Sequence, residues 1–226
     1  MHERLTLRCQ SANSLSDVTA ALEQAAIAHS VELHTDFDRM LRDYGVMWMI
    51  ARMRLTLTRL PQSDFSVTTF LRKPSSLVSI RDFTLSDGTD DLGTAAQTWV
   101  LADAVSRRLV PIRSVPILQD GPFPQPERTD QFHRLSLPPT GHAAVWNILP
   151  GETDRNGHLN NVSYIRHAEA LAPEGCTGLE ILFERECFAG EALHLETAEK
   201  DSFYVRGVKE NGEESFRARL WKENAV

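Results

Sequence analysis

The chain has 226 residues, 42% of them hydrophobic and 24% charged, the composition of a globular protein rather than a disordered one. A formal net charge of −7 disfavours nucleic acid as a partner, because phosphate binding needs a basic surface. The longest apolar run, VMWMIA at 46–51, is far too short to span a bilayer, and the opening MHERLTLRCQ lacks an apolar signal-peptide core, so a cytoplasmic protein without a membrane partner is expected.

In chain order, the short alternating run RLTLRC precedes a helix over SLSDVTAALEQAAIAHS. There Leu15, Val18, Leu22, Ala25, Ala26 and His29 follow helical spacing, and Ser14 and Asp17 resemble a capping box. Four strand-like stretches follow: VMWMIARMRLTLT, DFSVTTFLRK, LVSIRDFTLSD and GTAAQTWVLAD, with Asp87-Gly88 in a loop longer than a tight hairpin between the last two. Arg107-Arg108, Arg72-Lys73 and Arg52/Arg54 are local basic patches on which an acidic partner could dock, although solvated strand faces and turns are the commoner explanation of each. Six of the eleven prolines then fall within residues 116–139, a density that reads as an extended linker.

Beyond it the plan repeats. HAAVWNIL is a strand, the polar loop PGETDRNGHLNN leads into a helix with Val162, Ile165, Ala168 and Leu171 on one side, and four strands follow. Asn211-Gly212 marks the last hairpin. The chain divides into residues 1–115, a Pro-rich linker at 116–139, and residues 140–226, each half an α+β unit with one helix packed on an antiparallel sheet. Two such sheets can join edge to edge, and an outer edge strand is open to pairing with a second copy in a homodimer. The cysteines, Cys9, Cys176 and Cys187, are odd in number and form no CxxC pair, so they read as reduced thiols.

The loop before the second helix concentrates Asp154, Asn156, His158, Asn160 and Asn161. A histidine can move protons near neutral pH, a carboxylate can orient or attack, an amide can hold a substrate oxygen, and a helix N-terminus favours a developing oxyanion. That set suits acyl transfer to water. An Asx-rich turn with Asn160 or Asn161 as helix cap accounts for the same residues without chemistry. No HxxxH, HExxH, GxGxxG or P-loop pattern supports a metal, dinucleotide or ATP.

DRNGHLNNVSYI resembles the D-x-N-x-H-x-N-N-x-x-Y signature of the acyl-acyl-carrier-protein thioesterases, and FERECF at 183–188 resembles the strand segment carrying that family's adjacent Glu-Cys pair. VMWMIARMRLTLTRLPQSDFSVTTFLRK and TWVLADAVSRRLVPI are similar to strands of its first domain. The resemblance implies a tandem double hotdog, each half an antiparallel sheet wrapped around one long helix, with the first half as scaffold and acyl-chain pocket and the second as the catalytic half. It implies hydrolysis of a fatty acyl thioester on acyl carrier protein or coenzyme A, without metal or organic cofactor. Carried over by position, Asp154, Asn156, His158 and Glu186 are the catalytic residues. His158 and Glu186 would activate water or relay protons, Asp154 would attack or orient, and Asn156 would hold the thioester carbonyl or His158.

Strand parity disagrees with one of these. Continued to its end, GLEILFEREC puts Cys187 on the face of Leu179, Ile181 and Phe183, and Glu186 on the other. Cys187 is therefore an alternative nucleophile, unless a bulge turns the carboxylate round. Met47, Trp48, Met49 and Met53 are candidates for lining an acyl channel. A non-catalytic acyl-binding protein and a hotdog dehydratase are the rival functions.

Overall fold

A computed structural model describes residues 3–119, 121, 123–124, 132, 134–154 and 156–222. The first half comprises β1 (Leu5–Cys9), α1 (Leu15–Glu32), α2 (Phe37–Tyr44), β2 (Val46–Leu57), β3 (Phe65–Leu71), β4 (Ser79–Ser86), β5 (Asp91–Asp103) and the two-residue β6 (Leu109–Val110). The second comprises β7 (Gly141–Asn147), α3 (Asn161–Leu171), β8 (Gly178–Phe183), β9 (Ala192–Glu199), β10 (Phe203–Lys209) and β11 (Glu214–Trp221). All strand pairings are antiparallel and build one sheet in the order β1-β3-β4-β5-β2-β8-β11-β10-β9-β7, with β6 against β5. Read outward from the central β2–β8 pair, the two halves run through corresponding strands in the same order.

α1 forms where its apolar spacing predicts. Leu15, Val18, Leu22, Ala25 and His29 are fully buried, Ala26 nearly so, and the Ser14 hydroxyl accepts the Asp17 N–H at 3.0 Å. A second cap comes from the other half: Glu169 on α3 accepts the N–H groups of Leu15 and Ser16 at 2.7 and 3.1 Å. α3 buries Ser163, Tyr164, Ile165 and Ala168, a stripe turned slightly from the expected one, since Val162 is only partly covered. The expectation of one long helix per half differs from the structure in both halves: α2 is additional, and α3 has 11 residues against 18 in α1. No helix among the described residues is long and apolar enough to cross a membrane.

The described parts of 116–139 cling to the body rather than standing clear of it. Pro116–Leu118 is a 3-10 turn with Leu118 buried, Leu135 is buried too, and the Arg52 guanidinium lies 4.9 Å from the Phe132 ring centre. Pro122 and Pro126 lie outside the described residues. At the last hairpin Gly212 alone takes positive φ (86°); the Gly212 N–H donates to the Lys209 carbonyl and the Lys209 N–H to Glu213. The loop is three residues with a left-handed glycine, not a two-residue turn.

Two of the basic patches prove to be internal ion pairs. Arg72 grips Asp82 through Nε and Nη2, both at 2.6 Å, and Arg52 and Arg54 both reach Glu180, buried on β8.

Candidate active site

The polar loop is built by Asp154. Its Oδ1 accepts the backbone N–H groups of Asn156 (2.8 Å) and His158 (3.0 Å), and its own N–H donates to the His158 carbonyl at 2.7 Å. Gly157 at φ 78° supplies the left-handed turn this closure needs. The loop then runs into α3, where Asn160 Oδ1 accepts the Val162 N–H at 2.8 Å. The capping role expected of these asparagines thus falls to Asn160, and Asp154 organises the turn.

The second segment arrives from β8. The strand ends at Phe183, and the N–H groups of Glu184 and Arg185 both donate to the Ser215 carbonyl, at 2.8 and 3.1 Å. Two residues facing one make a bulge, which breaks the alternation and turns Glu186 round. Glu186 Oε1 lies 3.4 Å from His158 Nδ1. Cys187 turns inward: it is fully buried, its Sγ is 3.0 Å from Ser215 Oγ, and burial pushes its thiol pKa up. Its carbonyl accepts the Leu159 N–H at 2.8 Å, which ties this segment to the loop. The Phe188 ring meets the His158 ring edge-on at 5.2 Å.

Two charged groups from the first half complete the cluster, and sequence reading did not select either for the site. Arg107 follows β5 in a turn pinned by Asp103, whose Oδ1 accepts from the Val105 and Ser106 N–H groups. Its Nη2 stands 3.4 Å from His158 Nε2 and its Nη1 3.6 Å from Glu186 Oε1. A guanidinium can only donate, so His158 Nε2 is the acceptor and the ring proton sits at Nδ1, facing Glu186. Glu23 projects from α1 and hydrogen-bonds Asn161; burial foremost, and then the charge of Asp154, raise its pKa to about 7. Its only sequence signal is its place beside Leu22 on the flank of the apolar stripe.

A cavity of about 900 Å³ opens from this cluster and runs between α1 and the first-half strands. Met47, Trp48, Met49 and Ile50 line it; Met53 does not, being fully enclosed in the core. The same cavity is bordered by Asp154, Asn156, His158 and Glu186. Among the described residues no group of three or more His, Cys, Asp or Glu is placed to hold a metal ion.

The antiparallel sheet overlaid by helices thus holds a largely apolar cavity that opens at the polar loop before α3. Residues 8–115, just under half of the chain, match the family model of the acyl-ACP thioesterase N-terminal domain. Among solved structures it is similar to an acyl-ACP thioesterase from Bacteroides thetaiotaomicron, with a TM-score of 0.87 and 18% identity over 96% of this chain and 97% of that one. It is also similar to the 12:0-ACP thioesterase from Umbellularia californica, with a TM-score of 0.75 and 17% identity over 97% of each chain. The fold is thus the hotdog fold of these enzymes. No curated protein matches the chain.

Proposed function

We propose that the protein hydrolyses its fatty acyl thioester at the cluster of Asp154, Asn156, His158 and Glu186, with the acyl chain in the cavity along α1. The observation that carries this reading is the His158–Glu186 approach at the mouth of that cavity. Once an incoming water displaces the long Arg107 contact at His158 Nε2, that nitrogen takes a proton from the water as its oxygen attacks the carbonyl carbon. The Nδ1–H to Glu186 contact stabilises the resulting imidazolium, and the proton passes to the departing thiolate when the carbon–sulfur bond breaks. Asn156 is exposed beside the cavity and can hold the thioester oxygen. Asp154, pinned through Oδ1 by two amide donors, orients the loop rather than attacking.

The same reading takes residues 1–115 and 140–226 as two hotdog units in tandem, joined through 116–139. The family match ending at residue 115 and the repeated strand order support that division. Acyl carrier protein is the carrier in preference to coenzyme A, in keeping with the family. The unpaired Cys9, Cys176 and Cys187 fit a reducing, cytoplasmic setting. The test is to incubate the purified chain with acyl-carrier-protein and acyl-coenzyme A panels and follow free thiol and free acid. Release from the carrier protein, lowered about 100-fold or more in His158→Ala, is expected. Binding without release, or a product still on its carrier, would instead identify an acyl-binding protein or a dehydratase.

A further inference from the structure

β4 places Ser79, Arg81, Phe83 and Leu85 on one face, buried toward the helices. Three of these suit the core; Arg81 is a cation in it, 5% exposed. Its Nη1 donates to His29 Nδ1 at 2.9 Å and to Thr69 Oγ1 at 3.2 Å. Neither partner is an anion, since a ring nitrogen that accepts from a guanidinium is unprotonated. The adjacent carboxylate, Asp82, points to the opposite face and is occupied by Arg72. Burial lowers the Arg81 pKa to about 10, which leaves it charged at neutral pH.

Among the described residues the Arg81 Nε and Nη2 donors have no partner, and the side chain borders the cavity, as does Ser79. That open pair is the side-on fork with which Arg72 clasps Asp82. A strut between α1 and the sheet would need one neutral donor only. Among the described residues, a buried cation that borders a cavity with its fork unengaged is an ion pair lacking its second member. The position is deep: His29, which holds the guanidinium, is six residues along α1 from Glu23 at the polar loop, about 9 Å by helical rise.

We propose that the inner part of the cavity, through Arg81, binds an acceptor oxygen on the acyl chain, with a carboxylate as the best fit, so that the preferred substrate is an oxygen-bearing acyl thioester rather than a plain hydrocarbon one. The inference rests on the acyl chain occupying this cavity, as proposed above. It is tested with acyl-carrier-protein thioesters of one chain length whose far end is a methyl, a hydroxyl or a carboxylate. The wild-type chain is expected to favour an oxygen-bearing substrate in kcat/KM by about tenfold or more, as for a hydrogen bond to a charged group. Arg81→Met should bring the ratio to about one, and Arg81→Lys, which keeps the charge and loses the fork, should retain part of it. The hydroxyl and carboxylate arms tell which acceptor is preferred.

Calorimetric titration with the corresponding free mono- and dicarboxylic acids reads the same preference without hydrolysis. A chain that releases no thiol would therefore sink the thioesterase reading while this proposal is still judged by binding. Thermal melts show whether Arg81→Met folds, and if it does not, Arg81→Lys carries the comparison. A wild-type chain that takes the plain substrate as well as the oxygenated ones overturns the proposal, as does a preference that survives the loss of the Arg81 fork.

Discussion

At the level of single residues, the adjacent Glu186 and Cys187 separate cleanly. One faces His158 across 3.4 Å; the other is sealed in the core against Ser215 with its thiol held protonated. Glu186→Ala is therefore expected to lower single-turnover hydrolysis by about 100-fold or more. Cys187→Ala should keep most turnover and lose stability instead, about 1 kcal/mol for a small buried side chain and its hydrogen bond. A dead Cys187→Ala that melts like the wild type would reverse the assignment. Glu23 makes a pH prediction. Its pKa rises from the usual 4.5 to about 7 on folding, so in that window the folded chain holds a proton that the unfolded chain has shed. The contribution to stability is complete below pH 4.5 and is lost as pH climbs through 7, by about 3 kcal/mol at most for this half-buried group. Glu23→Gln, which cannot ionise, should remove that part of the slope in denaturant titrations between these pH values.

At the level of elements, the two helices lean on each other through a carboxylate. Glu169 of α3 closes the N-terminus of α1, where free N–H groups and the helix dipole favour an anion. Glu169→Ala should cost about 1–2 kcal/mol in chemical denaturation, and Glu169→Gln, which keeps acceptor and shape, less. The partner that completes this cap stands 154 positions away from Leu15, and such distances mark where sequence reading ends. Periodic elements were legible: α1, β2 to β5 and β8 to β11 lie where spacing and turn residues place them. α2 was missed although Phe37, Met40, Leu41 and Tyr44 keep helical spacing, between the cap at Asp36 and the left-handed Gly45; the helix is short, and only Met40 of its eight residues is buried. The bulge after Phe183 is backbone geometry, invisible to alternation, and it alone brings Glu186 into the cluster. The loop motif was legible as a compact set, whereas Arg107, 51 positions from His158, reaches it only through the tertiary fold.

At the scale of the molecule, the cluster belongs to neither half. His158 and Glu186 come from the second, Arg107 and Glu23 from the first, and the cavity runs back into the first between α1 and its strands. The seam that holds the halves in register is β2 against β8, with Arg54 opposite Glu180 and Arg52 opposite Leu182. Glu180 has 4% of its side chain exposed and answers both Arg52 and Arg54, so one carboxylate neutralises two guanidinium groups at the joint. Removing it leaves two partly buried cations side by side on β2 without this carboxylate. Glu180→Ala is thus expected to destabilise the chain by about 3 kcal/mol, as for a buried pair broken on one side. Because β8 leads directly into the Glu184–Arg185 bulge, the same change should lower kcat through a displaced Glu186 while the acyl chain still binds. Replacing Arg52, Arg54 and Glu180 together with Met, Met and Leu should recover much of the stability, since an apolar cluster avoids the desolvation cost of the ions. If Glu180→Ala melts with the wild type and keeps its rate, the halves are held by backbone pairing and core packing, and the ion cluster at the seam contributes nothing measurable.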